Sequence, residues 1–125
     1  MIVGIGLDLV KRSRIEDAVA RHGARFTNRI FTRAEQRYAG ERANRVLHYA
    51  GMWAVKESLV KALGTGFRDG IRWRDIACGH DDLGKPVVTL SGKALERAEA
   101  IGVGTIHVSI THDTEWSAAQ VILER

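Results

Sequence analysis

Very little in this chain could staple it, interrupt it or anchor it. A single cysteine, Cys78, excludes an internal disulfide and any zinc site built on paired cysteines. Its expected place is that of a small apolar side chain in the interior. One proline and 13 scattered glycines leave no linker and no low-complexity tract, and no internal repeat is visible. Aromatic residues are only 6% of the total. No run approaches the roughly 18 apolar residues of a membrane helix. The opening Met1-Ile2-Val3-Gly4 has no basic segment before its apolar residues, so it reads as a first strand and not as a secretory leader. A cytoplasmic protein with no membrane partner is the expectation.

What is present has the balance of a globular domain: 125 residues, 45% hydrophobic and 27% charged. One domain spanning 1–125 is expected. The formal charge of +4 is unevenly placed. Residues 11–45 hold ten Lys or Arg against four acids, while the remainder is slightly acidic. A basic first third points to an acidic partner such as a nucleic acid, an anionic cofactor or an acidic protein; an Arg-rich solvated helix surface is the bland alternative.

Residues 2–10 alternate as a strand, with Val3, Ile5, Leu7 and Leu9 on one face and Gly4, Gly6 and Asp8 on the other. Ser13-x-x-Glu16 and Thr32-x-x-Glu35 read as capping boxes that open two short helices, the first stopped by Gly23. Residues 43–63 are apolar on nearly every side, the pattern of a central buried helix, and Gly64-Thr65-Gly66 ends it. Strands are expected at Ile71–Ile76 and Pro86–Leu90. A helix capped by Ser91 follows, with Ala94, Leu95, Ala98 and Ile101 inward. Residues 105–112 and 116–124 form a closing hairpin. The fold class is α+β, a mostly antiparallel sheet packed on a long central helix.

Three residues invite chemistry. Asp8 sits in an apolar strand, where a carboxylate is costly unless it meets water, a partner or a cation. Glu57 and Lys61 are one turn apart on a helix with little surface to spare; they are either an ordinary surface pair or part of a site. Two carboxylates from neighbouring elements suit a hard cation such as Mg²⁺, and a lysine beside them suits a phosphate. His112, where a strand enters a turn, is either a satisfied turn histidine or a ligand contact. His22, His48 and His80 have no companions at metal-ligand spacing.

Three look-alikes fail. Gly79-x-x-x-x-Gly84-Lys85-Pro86 has proline where a phosphate loop needs Ser or Thr. Ser58-x-x-Lys61 lacks the companion motifs of penicillin-binding proteins. Ser109, His112 and Asp113 crowd one strand end and cannot form a relay.

Taken in order, several pieces carry a resemblance. They are Gly4-Ile5-Gly6-Leu7-Asp8-Leu9-Val10 with Arg14-Ile15, then Phe31-Thr32 with Glu35, then Trp53-Ala54-Val55-Lys56-Glu57-Ser58 with Lys61-Ala62 and Gly64-Thr65-Gly66. Gly84-Lys85-Pro86 and His107-Val108-Ser109-Ile110-Thr111-His112-Asp113 complete the set. The chain resembles the small bacterial holo-acyl-carrier-protein synthases, which are 4′-phosphopantetheinyl transferases. The resemblance implies that fold and its reaction: the 4′-phosphopantetheine of coenzyme A passes to a serine of apo-acyl carrier protein, releasing 3′,5′-ADP, in fatty-acid biosynthesis.

By position, Asp8 and Glu57 are then the Mg²⁺ ligands, Glu57 the base and Lys61 a phosphate contact that helps the leaving nucleotide. Gly64, Thr65 and Gly66 would offer backbone N–H groups to the substrate. Lys85, Pro86 and His112 would lie at the 3′-phosphoadenosine end, and Arg14, Arg21 and Arg25 would dock the acidic carrier protein. A homotrimer with sites between subunits is implied too. Met52 departs from the pattern, since many relatives carry Arg there; either another cation such as Arg45 or Lys85 replaces it, or affinity for coenzyme A is lower. Thr111 replaces a common Ser. Two other readings compete, a basic nucleic-acid-binding module and a Mg²⁺-dependent phosphohydrolase. The first lacks a stacking pattern of aromatics and leaves Asp8 and Glu57 unexplained. The second would leave no added mass on a carrier protein.

Overall fold

The computed structural model describes residues 1–125. Strand β1 (Ile2–Lys11) leads through α1 (Arg12–His22), α2 (Ala24–Ile30) and α3 (Arg33–Gly40) into α4 (Arg45–Leu63). A short 3₁₀ turn (Trp73–Asp75) opens the hairpin β2 (Ile76–His80) and β3 (Pro86–Leu90). Helix α5 (Gly92–Ala100) and the second hairpin, β4 (Thr105–His112) and β5 (Trp116–Glu124), complete the α+β fold. One sheet has the order β1-β5-β4 and is antiparallel throughout; β2 and β3 form a separate antiparallel pair.

Helix α4 is the hub, as its all-round apolar pattern implies. Its residues enter both halves of the core. One half gathers Val10, Ile15, Phe31, Tyr49 and Val55, the other Leu59, Leu63, Ile76, Val121 and Leu123. Two glycines explain how β1 lies so close to it. A Cβ at Gly6 would overlap the Ser58 carbonyl, and one at Gly4 would overlap that of Ala62. Glycine is therefore required where strand backbone touches helix backbone. The strand runs antiparallel to α4, so the next inward residue, Asp8, arrives at the turn that carries Glu57 and Lys61.

The apolar face of β1 is consequently the outer one. Ile5, Leu7 and Leu9 are about 60% exposed, at 60%, 63% and 61%. They share a sheet face with Ile122, Gln120 and Ala118 of β5.

Some local expectations fail for visible reasons. Ser13 caps nothing. Helix α1 starts directly off the strand with Lys11 at its N-cap, and the Arg12 amide donates to the Glu115 carbonyl instead. Ile71–Ile76 is not a strand. The Asp75 carboxylate reaches back to the Arg72 amide at 3.0 Å, and this local bond folds the segment into the 3₁₀ turn, so that pairing begins only at Ile76. Ser91 stands at the N-cap of α5 without a side-chain capping bond, and Leu95 points outward at 39% exposure. Thr32 and Glu35, by contrast, form the full capping box.

Candidate active site

From Tyr49 onward, helix α4 buries every side except one strip. Trp53, Glu57 and Lys61, spaced by four, lie on that strip and remain partly or fully open. The Lys61 ammonium donates to the Leu7 carbonyl at 2.9 Å and to Asp8 Oδ1 at 3.2 Å. Asp8 is 14% exposed and Lys61 is 51% exposed. The second carboxylate oxygen, Asp8 Oδ2, is buried and has no hydrogen-bond partner.

Glu57 shares this edge. Its pKa is raised, first by burial and then by the neighbouring Asp8 charge; Lys61 and Arg14 pull in the other direction. Arg14 reaches in from α1, its guanidinium carbon 5.3 Å from the Trp53 ring centre. An orphaned carboxylate oxygen beside a second, partly buried carboxylate is a donor set in need of positive charge. It fits Mg²⁺, which takes one or two carboxylates and fills its remaining positions with water and substrate phosphate. A cation that demands a full protein cage has no such cluster here.

The turn after α4 is less free than expected. Gly64 and Gly66 have φ of 78° and 62°, which favours glycine. The Gly64 amide donates to Lys61, and those of Thr65 and Gly66 both donate to Val60. All three N–H groups close the helix end, so none is left to greet a phosphate.

His112 sits elsewhere. Its Nδ1 is 2.9 Å from Ser117 Oγ, and it lines a cavity of about 190 Å³ on the opposite flank of α4. Gly51 makes that approach possible: a Cβ there would stand 2.9 Å from His112 Cε1. Met52, Val55, Val88, Val108 and Ile110 supply apolar wall, and Pro86 and Gly84 close one rim. Lys85 belongs to the hairpin turn beside it, and Asp81 holds its amide at 2.9 Å. Neither Arg45, placed 5.5 Å from the Tyr49 ring centre, nor Lys85 lines the cavity that Met52 faces. The expected replacement for an arginine is thus not at that wall. Two residues that spacing could not single out are present instead: His48 and His80 join His112 around the same space. Their convergence from α4, β2 and β4 is a product of topology and left no local signal.

The look-alikes dissolve in the same geometry. Ser58 is fully buried, its hydroxyl 2.6 and 3.0 Å from the Ala54 and Ala119 carbonyls that share its one proton, leaving it no role as a nucleophile. Arg21 and Arg25 are exposed on the basic surface of α1 and α2, and Arg14 and Arg25 lie beside Trp53.

A family model described as the 4′-phosphopantetheinyl transferase superfamily matches residues 4–121. The chain belongs to the 4′-phosphopantetheinyl transferase superfamily. Within the superfamily it is similar to a holo-[acyl-carrier-protein] synthase of Trichlorobacter lovleyi, 46% identical over 99% of this chain and 98% of that one. Among solved structures, the holo-[acyl-carrier-protein] synthase of Neisseria meningitidis superimposes with a TM-score of 0.91 at 35% identity, covering 100% of both chains. The Bacillus anthracis synthase, solved in complex with CoA (3′,5′-ADP), superimposes with a TM-score of 0.81 at 34% identity, covering 98% of this chain and 96% of that one.

Proposed function

We infer that residues 1–125, working as one domain, transfer the 4′-phosphopantetheine of coenzyme A to a serine hydroxyl of an apo-acyl carrier protein. Membership of the superfamily and full-length similarity to holo-acyl-carrier-protein synthases support the activity. The observation that carries the site is the Asp8–Glu57–Lys61 edge with its unpartnered carboxylate oxygen. The serine oxygen attacks the phosphorus of the coenzyme A pyrophosphate that bears pantetheine. A new P–O bond forms, the bridging P–O bond breaks, and 3′,5′-ADP leaves. Glu57 accepts the serine proton as the general base. Lys61 is held by Asp8 and the Leu7 carbonyl so that its charge meets the phosphates and offsets the charge of the leaving nucleotide. Asp8 and Glu57 would hold Mg²⁺, which would neutralise the pyrophosphate oxygens.

The carboxylate edge and the His112 cavity lie on opposite flanks of α4 in one chain. A homotrimer, in which the cavity of one subunit completes the carboxylate edge of the next, reconciles them. The exposed Ile5, Leu7 and Leu9 face supports such an assembly, because apolar area of that kind is what a subunit interface covers. Arg14, Arg21 and Arg25 form the approach for the acidic carrier protein. Fatty-acid biosynthesis in the cytoplasm is the setting this reading implies.

The test is intact mass of an apo-acyl carrier protein incubated with the chain, coenzyme A and Mg²⁺. The expected result is the gain of one phosphopantetheine, lost with EDTA and with Glu57→Gln. Absence of added mass across several carrier proteins, with coenzyme A hydrolysed instead, would establish a phosphohydrolase.

A further inference from the structure

The surface around the carboxylate edge continues past it. Trp53, one turn before Glu57 on α4, begins a ladder of stacked rings. Trp73 of the 3₁₀ turn stacks on Trp53 with ring centres 4.3 Å apart, and Phe67, from the loop after α4, stacks on Trp73 at 3.9 Å. At the far end of the ladder lies an open hollow of about 480 Å³, rimmed by Arg29 of α2 and by Arg72 and Arg74 of the turn.

The local sequence explains this rim. In Arg72-Trp73-Arg74-Asp75 the tryptophan and the aspartate turn inward, and the two arginines are exposed. The Asp75 side chain is 5% exposed and accepts the Arg72 amide at 3.0 Å. Its other oxygen lies 3.6 Å from Arg72 Nε, yet the Arg72 side chain stays 81% exposed. Arg29 and Arg74 have no ion-pair partner in the chain. Asp75 is the one acid that lines the hollow. Asp69, in the loop between Phe67 and Ile71, is offset by its neighbour Arg68. The turn is also fixed in place. Lys56, the residue before Glu57, donates to the Trp73 carbonyl at 3.1 Å. The arginine rim therefore holds a set position relative to the carboxylate edge.

We propose that Arg72 and Arg74, with Arg29, form a second contact for the acidic carrier protein, on a different element from Arg14, Arg21 and Arg25, and that this contact helps to set which carrier proteins are used. The proposal rests on the transferase reading above. A protein that offers its serine to Glu57 must cover more than the site itself. A standard interface takes about 800 Å² per partner, roughly 16 Å in every direction. Trp73 and Phe67, two ring spacings beyond Trp53, fall within that reach. Arginine beside tryptophan is the composition of an interface hot spot. Exposed arginines without partners of their own lose no internal ion pair when an acidic surface arrives.

A nucleic acid suits the patch less well. Trp73 is already stacked on both Trp53 and Phe67, so its faces are closed to a base.

Steady-state transfer kinetics of Arg74→Glu, and of Arg72→Gln combined with Arg74→Gln, test the proposal. The neutral pair covers the case in which a new acid near Asp75 unfolds the turn, and thermal melts check both. The expected result is a rise of about fivefold in the KM for carrier protein at low salt, the upper end for an exposed pair. The loss should shrink in 0.5 M NaCl. The KM for coenzyme A should hold. Of two carrier proteins, the more acidic should lose more.

A carrier-protein KM unchanged in both variants overturns the second contact and leaves the transferase reading standing. An equal rise in the KM for coenzyme A assigns the arginines to that substrate and overturns it too. Equal losses for carrier proteins of different acidity overturn the role in selection. Loss of single-stranded DNA binding in the variants, with the carrier-protein KM unchanged, would give the patch to nucleic acid instead. Absence of transfer by the unaltered chain to any carrier protein removes the transferase reading itself.

Discussion

Helix α4 carries two lysine–carboxylate pairs barely more than a turn apart, and they are built in opposite ways. Lys56 and Glu35 are both 0% exposed, 2.9 Å apart, and complete. The Lys56 ammonium also reaches the Trp73 and Ile76 carbonyls at 3.1 and 2.6 Å. Glu35 takes the Thr32 amide on one oxygen and the Cys78 amide on the other. Nothing is left for a ligand. Lys61 is half exposed, and its partner Asp8, mostly buried, has one oxygen with no partner at all. The same chemistry thus serves two ends. The sealed pair fastens α3, the 3₁₀ turn and β2 to α4. The open pair is unfinished, with an oxygen free to take a ligand. Charge on a buried helix is no guide to function by itself; unsatisfied charge is.

The sharpest way to test the open half is Glu57→Gln. It removes the proposed base and one proposed metal donor while keeping shape. Phosphopantetheine transfer should fall about a thousandfold or more, within the upper range for loss of a general base, with the thermal transition retained. Transfer within tenfold of the parent would move the proton acceptor elsewhere.

The sealed half should respond in stability instead. Lys56→Met leaves the Glu35 charge buried and two carbonyls without their donor, a loss of about 3–5 kcal/mol for a broken buried pair. The double variant Lys56→Met with Glu35→Leu should recover part of that, because it removes both charges. Denaturant melts of the two variants decide it. A single variant within 1 kcal/mol of the parent would mean that water enters the pair, and the contrast with Lys61–Asp8 would lose its basis.

How much of this contrast could be read in the chain is uneven. The Thr32–Glu35 capping box was legible, because its signature is local. That Glu35 also receives Lys56 was not, since the partner lies 21 positions away. Helix α4 announced itself through its apolar pattern, and Asp8 through its oddity in an apolar strand. Gly4 and Gly6 gave no hint that the strand's glycine face would be the inner one; close backbone contact with α4 decided this and turned Ile5, Leu7 and Leu9 outward. The Ser13 cap and the 71–76 strand failed because tertiary hydrogen bonds and the Asp75 carboxylate overrode local preference. The three-histidine cavity was invisible, for its members meet only when three elements pack.

A smaller effect separates approach from chemistry along the open strip. Arg14 lies over Trp53 and near Glu57, yet its exposure and its place on the basic α1 surface fit a role in encounter. Arg14→Glu should raise the KM for an acidic carrier protein about tenfold, with the loss shrinking at high salt. The KM for coenzyme A should hold. An equal rise in both would place Arg14 in the substrate site and not on the docking surface.

The smallest effect has the most telling sign. Burial and Asp8 raise the pKa of Glu57 above its ordinary 4.5. The folded protein therefore binds that proton more tightly than the unfolded chain does. The stabilisation this provides is complete below the ordinary value and is lost as pH rises through the raised one. At neutral pH the ionised Glu57 is thus a burden on the fold, held for its chemistry. Glu57→Gln should melt slightly higher than the parent at pH 7.5, and the gap should close as pH falls below 4.5. Adding Mg²⁺ should raise the parent's melting temperature and leave the variant's nearly unmoved, since only the parent keeps both carboxylates. Lys56 and Glu35 predict the reverse, with removal of either partner costing stability at neutral pH. A lower melting temperature for Glu57→Gln at pH 7.5 would show the Glu57 carboxylate to be a structural charge, as Glu35 is.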